Sequence, residues 1–472
     1  MTGLRRSHRP ALSALLGAGI LLALATGGTQ PAPADTAAAR QVTGTLPDGA
    51  TYLMDVPAHW NGTVLLYSHG LVAVEPGHDQ PNPAKNAPGW GDTRQQLLDE
   101  GYALIGSSYV SPGWVVDTAV DDQVATLEKF GEVFGPAERA LAWGESLGGM
   151  ITTRLAEEYG DRIDGSLAMC GTEAGGVARW NNQLDLSFVL RTLLAPDSGI
   201  RLTGFRDRAE ADASADALTA EAERAQRTPA GRARIALAAA LAGVAGYNAT
   251  DQQRPGRRDW ATTEANQYAV VSETLIPSTT RWRQDAESHA GGSVSWNSGV
   301  DYAAMLARSP YRDEAEGLYR SAGLTLAEDL SALGAAPRLN AEDAAVDFMA
   351  RTASFSGALT RPQLNVHTVY DGLVPVQNEH AYRDTARAAG TSALLRQTYV
   401  ERAGHCNFTQ DEALTAVRTL DERVATGHWG DTSAHGMNAS AREHGAVTET
   451  AYIRYAPAPF PRPYDLTARQ GA

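Results

Sequence analysis

Short apolar runs alternate with segments of helical periodicity over the first third of the chain. The run Thr63-Val64-Leu65-Leu66-Tyr67-Ser68 is apolar without alternation, the pattern of a strand buried on both faces of a mostly parallel sheet. Before it, residues 42–46 and 51–56 flank Pro47-Asp48-Gly49 and predict a hairpin, and Asn61-Gly62 marks another tight turn. Further apolar strands are predicted over 102–107, 140–143 and 163–169. Between them, helical patterns run from an Asp92 cap to Glu100, from Asp117 to Phe130, and from Met150 to Tyr159, where Gly160 ends the last. The stretch 72–91, rich in Pro, Asn and Gly, is long enough to be the wall of a site.

The alternation then stops. Residues 179–360 are dominated by helical patterns, including 215–227 and the alanine-rich 230–245, with breaks at Gln253-Arg254-Pro255-Gly256 and around Gly291-Gly292. It resumes with a strand over 362–370, a helix over 376–389, a strand over 394–400 and a helix over 410–425. The tail after Trp429, with Pro457, Pro459, Pro461 and Pro463, is predicted to lie extended on the surface. Strands alternating with helices imply an α/β class, a mostly parallel, doubly wound sheet. The expected organisation is a core over 35–178, a helical cap inserted over 179–360, a second core segment over 361–428, and a tail over 429–472. Such a cap covers the carboxyl ends of the strands, where sites of open α/β sheets lie.

Composition changes this picture at the N-terminus. Arg5, Arg6 and Arg9 precede the apolar run 11–25, and Ala32-Pro33-Ala34 offers a small-residue cleavage site, so residues 1–34 read as a signal peptide. A secreted protein is expected, with no stable membrane span after cleavage. The net charge of −15, with no basic block beyond the N-terminus, argues against nucleic acid as a partner. In an exported chain the only two cysteines, Cys170 and Cys406, are expected to be bonded to each other.

Candidate chemistry centres on Gly144-Glu145-Ser146-Leu147-Gly148, a G-x-S-x-G between a predicted strand and a predicted helix. In that context the turn presents the serine at the top of a sheet, at a helix N-terminus whose backbone N–H groups can receive an oxyanion. A serine hydroxyl needs a base, and the base needs an orienting acid. Asp371 directly follows one resumed strand and His405 follows the last, so both fall at the same sheet edge as Ser146. Glu173, after the preceding strand, is the rival acid. His69 is assigned to shaping the oxyanion loop, and His367 and His380, inside a strand and a helix, to structure. The oxyanion donors are expected to be the N–H groups of Leu147 and Leu71. The scattered histidines suggest no zinc site, and neither metal nor cofactor is called for. Cys170 and Cys406 should meet at this edge, since the strand ending in Cys170 should neighbour the elbow strand.

These motifs, with Tyr67-Ser68-His69-Gly70-Leu71, Asp371-Gly372-Leu373-Val374-Pro375 and Gly404-His405-Cys406, resemble the α/β-hydrolase superfamily, in particular its secreted bacterial esterases and lipases. The resemblance covers 41–178 and 361–428 and implies an α/β-hydrolase fold with an acyl-enzyme at Ser146, His405 as base then acid, and Asp371 orienting it. A cysteine beside that histidine is also similar to tannase and feruloyl-esterase-like enzymes, although position 145, where those carry the partner cysteine, is Glu here. Secreted proline-type aminopeptidases share the fold but show Gly-Gly-Pro and a Tyr after the serine, where this chain has Leu71-Val72-Ala73 and Leu147. That favours a carboxylic ester, small or polymeric, over a peptide. A peptidase, an extracellular acyltransferase and a catalytically silent binding protein of the same fold are the alternatives.

Overall fold

In the computed structural model, which describes residues 38–74 and 82–466, the apolar runs pair into one nine-stranded sheet. The segment read as a signal peptide, 1–34, and residues 75–81 of the long loop lie outside the described residues. The strands are β1 (Arg40–Thr45), β2 (Thr51–Val56), β3 (Thr63–Ser68), β4 (Ala103–Ser107), β5 (Arg139–Glu145), β6 (Gly165–Met169), β7 (Gln363–Tyr370), β8 (Leu395–Ala403) and β9 (Tyr452–Ile453). Their spatial order is β1-β2-β4-β3-β5-β6-β7-β8-β9. The six from β4 to β8 run parallel to their neighbours, while β1, β2 and β9 pair antiparallel at the margins. Because β4 lies on one side of β3 and β5 on the other, the winding reverses at β3, the switch point at which open α/β sheets place ligands.

The two-residue side-chain period assigns each strand's residues to opposite faces. Val64, Leu66, Ala140 and Ala142 enter one buried cluster, with helices α2 (Val116–Phe134) and α3 (Leu147–Glu158). Leu65, Tyr67, Leu141 and Trp143 enter the other, with α1 (Thr93–Asp99) and the helix Gln410–Thr426. Both faces are therefore dry, which is why these strands read as continuous apolar runs. Asp92 occupies the N-cap position of α1 without a side-chain cap; its N–H instead donates to Gln410 Oε1 at 2.6 Å.

Between β6 and β7 stand nine α-helices, from α4 (Gly176–Leu194) to Asp343–Ala353, and most of them close on a hydrophobic core of their own. Two π-helical turns, Val271–Leu275 and Ser278–Trp282, interrupt this block. The tail differs from the extended surface segment that its prolines predict. It carries a helix, Ala434–Glu443, and the edge strand β9, which pairs with β8. Further on, Phe460 is buried, and Arg462 donates to both oxygens of the buried Asp185 on α4 at 2.9 Å. Four prolines stop regular structure over 457–463, but they do not stop an aromatic and an arginine from finding buried partners. No helix among the described residues is long and apolar enough to cross a membrane.

Candidate active site

Ser146 stands between β5 and α3 with φ 56° and ψ −121°, a left-handed conformation unusual for a residue with a Cβ. The turn is possible because its flanking glycines are in tight contact with neighbouring backbone. A Cβ on Gly148 would lie 1.9 Å from the Ser68 carbonyl oxygen, and one on Gly144 would lie 2.4 Å from the Gly148 oxygen. The Ser146 N–H donates to the Met169 carbonyl of β6 at 3.0 Å, which pins the elbow to the neighbouring strand. Cys170 and Cys406 are also at positive φ, 46° and 51°. Backbone strain of this kind costs on the order of 1–3 kcal/mol per residue and is sustained by surrounding structure.

Asp371 follows β7 and His405 follows β8, and the parallel pairing of those strands brings both loops to the elbow. His405 Nε2 lies 2.7 Å from Ser146 Oγ, and His405 Nδ1 lies 2.7 Å from Asp371 Oδ2. The other Asp371 oxygen accepts from the N–H groups of Leu373 and Val374 at 2.9 and 2.8 Å, so the carboxylate is held on both sides. The His405 loop is fastened by Gly404 N–H to Tyr370 O, and by Thr368 Oγ1 to Gly404 O at 2.9 Å. It is also tied covalently: Cys170, after β6, and Cys406 form a disulfide with Cα atoms 5.4 Å apart. All three side chains expected from the sequence therefore converge at one edge.

Glu173 does not reach His405. It is buried beside Glu379, its oxygens lack hydrogen-bond partners, and burial together with the Glu379 charge pushes its pKa well up. Glu379 in turn faces His367 at 3.1 Å, and His367 Nε2 meets the Val374 carbonyl at 2.9 Å. Burial pulls His367 down, but the Glu379 contact outweighs it and the net shift is upward. His69 is stacked on Tyr109 with ring centroids 3.9 Å apart and both ring nitrogens against backbone carbonyls, and burial lowers its pKa. His380 Nδ1 lies 2.9 Å from the Pro457 carbonyl. Ser107 and Ser108 are buried and occupied in hydrogen bonds to the chain around Tyr109.

A cavity of about 320 Å³ opens over Ser146 and His405, and Leu71 and Leu147 are in its wall. Gly70 comes close to the elbow: a Cβ there would be 3.3 Å from that of Ser146. Reading the sequence alone did not find Trp114, Glu145, Thr172, Arg179 and Trp282 in this wall. Glu145 and Thr172 adjoin strand ends and could have been suspected; Arg179 and Trp282 come from the helical block, where no motif marks them. Burial raises the Glu145 pKa although Tyr67 Oη donates to it at 2.8 Å. Among the described residues two groups bring three potential metal donors together. In one, Cys170, His405 and Cys406, the sulfurs are committed to each other; the other is the buried Glu173, His367 and Glu379 behind Asp371.

The sheet order, the strained serine between β5 and α3, and the loops after β7 and β8 define the class: the chain has an α/β-hydrolase fold. No family model matches it. It is 28% identical over 436 residues to the o-phthalyl amidase of Xanthobacter agilis, an alignment covering 87% of this chain and 93% of that one. Among solved structures, feruloyl esterase B from Aspergillus oryzae aligns with a TM-score of 0.40 and 13% identity, over 83% of this chain and 81% of the other. An esterase of Pyrococcus furiosus aligns at 0.36 and 10%, over 83% and 91%.

Proposed function

We propose that the chain is a secreted serine hydrolase that cleaves carboxylic esters of small or polymeric substrates through an acyl-enzyme at Ser146. The observation that carries this reading is the position of His405, 2.7 Å from both Ser146 Oγ and Asp371 Oδ2. Nε2 takes the hydroxyl proton as Oγ bonds to the substrate carbonyl carbon, and Asp371 steadies the resulting imidazolium. The backbone N–H groups of Leu71 and Leu147 receive the oxyanion, each worth roughly 3–4 kcal/mol to the transition state. Collapse of the intermediate expels the leaving group, which takes the proton from Nε2. Water then repeats the cycle on the acyl-enzyme and releases the acid.

Amides are the second reading. The relative that matches most of this chain's length is named an amidase, and the same residues serve either bond. A panel of p-nitrophenyl esters beside aminoacyl-naphthylamides separates the two; cleavage of the amides without ester turnover would overturn the ester reading. Ser146→Ala should remove activity by a factor on the order of 10⁶ in kcat. A fluorophosphonate should label Ser146, and an adduct on Ser107 or Ser108 would place the nucleophile on the wrong strand. The helical block over 179–360 is assigned as the cap of the site. Export is supported by the pattern of residues 1–34 and by a disulfide of the kind that persists in oxidising compartments. N-terminal sequencing of protein from culture medium should begin near residue 35; an intact chain retained in cells would end that assignment.

A further inference from the structure

Behind the acid of the site stands a second histidine. His367 Nε2, on β7, lies 3.8 Å from Asp371 Oδ2, the oxygen that meets His405. His367 is fully buried, and each ring nitrogen faces an acceptor: Nε2 the Val374 carbonyl at 2.9 Å and Nδ1 a Glu379 oxygen at 3.1 Å. A carbonyl cannot donate, and a carboxylate donates only when protonated. The second Glu379 oxygen accepts from Asn365 Nδ2 at 3.0 Å and from Gln397 Nε2 at 2.6 Å, so Glu379 is surrounded by donors, as an ionised carboxylate requires. Glu173 is the opposite: both of its oxygens lack a donor, and burial first, then the Glu379 charge, pushes its pKa well up. The proton of this acid pair therefore belongs to Glu173, which donates to Glu379. With Glu379 ionised, His367 carries a proton on both nitrogens and is an imidazolium; burial opposes this, but the Glu379 and Asp371 charges outweigh it. Around the cluster, burial keeps Tyr382, on the helix Asn378–Ala388, and Tyr399, on β8 near Arg383, neutral, and Arg179 on α4 is attracted to Asp371.

Asp371 Oδ2 is thus shared by two imidazole rings, one that must gain and lose a proton in each turnover and one that keeps its protons. The fixed cation has two consequences. It counters the cost of burying the Asp371 charge. It also anchors the loop, because Val374 receives His367 Nε2 at its carbonyl and donates its N–H to Asp371 Oδ1 at 2.8 Å. We propose that His367 is a positioning residue of the triad: paired with Glu379 as a permanent imidazolium, it holds Asp371 charged and aimed at His405, and its charge opposes a second positive charge on His405 in the resting enzyme. This rests on the reading of Ser146, His405 and Asp371 as a triad, and it adds the groups that hold the acid. His367 reaches the substrate only through Asp371. Two unit charges ~7 Å apart at an effective dielectric constant of ~20 move a titration by about 1.7 pH units, and the opposite charge of Glu379 offsets enough to leave about 0.5–1.

The test follows kcat/KM for a p-nitrophenyl ester against pH, where the acid limb reports the base in the free enzyme. In His367→Gln that limb should move up by about 0.5–1 pH unit, and the loss at the plateau should fall on kcat rather than KM. Glu379→Gln should move the limb the same way, because an amide donating to Nδ1 leaves His367 neutral. Glu379→Asp keeps the charge and should keep the limb. Glu173→Gln should also keep it, since its amide supplies the donor that the protonated carboxyl supplies. A limb unmoved in both His367→Gln and Glu379→Gln would overturn the proposal and leave His367 a packing residue. So would one equivalent of divalent metal in the purified protein that Glu173→Gln releases, because that ion would replace the protons counted here. Should the variants fail to fold, nitrogen NMR on the wild type decides. His367 should show two ring N–H groups at about pH 5 and still at about pH 8, and a single ring N–H at the higher pH refutes the assignment. Full activity in Ser146→Ala would sink the triad reading, and the spectra, which need no substrate, keep that failure apart from this one.

Discussion

Asp371→Asn gives the sharpest test of how the site works, because the structure dictates what an amide can do there. An asparagine side chain has one acceptor oxygen and one NH2 donor group. The Leu373 and Val374 N–H groups converge on one carboxylate oxygen at 2.9 and 2.8 Å, so the amide oxygen is drawn to that side. The NH2 then faces His405 Nδ1, where the carboxylate now accepts at 2.7 Å. His405 must accept at Nδ1 and carry its proton on Nε2, the nitrogen that should take the proton from Ser146. Loss of this kind in a comparable triad is about 10⁴-fold in kcat, or about 5.4 kcal/mol. The flipped amide would restore the tautomer but leave two buried N–H donors without acceptors, at about 1–3 kcal/mol each. The flip therefore costs about 2–6 kcal/mol, which limits the active fraction to between a thirtieth and less than a thousandth. We expect kcat for a p-nitrophenyl ester to fall between about 30- and 10⁴-fold, with fluorophosphonate labelling slowed in parallel and circular dichroism unchanged. Activity within tenfold of wild type, together with a severe loss in Glu173→Gln, would refute the reasoning and move the acid to the strand before.

Reduction of the Cys170–Cys406 disulfide, or its replacement by two serines, should lower stability by about 2–4 kcal/mol. It should also slow turnover before unfolding, since moving a base by ~1 Å costs about 10²-fold; two free thiols in a mass spectrum of the unreduced protein would end this prediction. The pH dependence of stability should carry the signature of Glu314, whose pKa is pushed up to about 8 by burial and then by Glu264. A carboxyl raised in the folded state binds more protons there than in the unfolded chain, so its stabilising contribution is whole below about pH 4.5 and is lost as pH rises through about 8. Glu314→Gln should therefore be more stable than wild type at pH 8, by on the order of 2–4 kcal/mol, and not at pH 5; denaturant titrations at the two pH values that show an equal change would exclude this origin.

The sequence alone determined the alternation of strands and helices, the place where it breaks, and the serine, acid and histidine at three strand ends. Those features are local. A two-residue apolar period, a G-x-S-x-G bounded by strand and helix, and the order of chain segments are all written within a few residues of one another. Tertiary structure decided what depends on distant pairs. It put Asp371 rather than Glu173 on His405, because the loops after β7 and β8 meet above β5 while Glu173 turns in toward Glu379. It brought Arg179 and Trp282 from the helical block into the cavity wall, and it folded the proline-rich tail back so that Arg462 reaches Asp185. No periodicity announces such contacts. They arise when an inserted block packs against the sheet, and a single buried arginine has the same appearance in sequence whether its partner is an aspartate or a carbonyl.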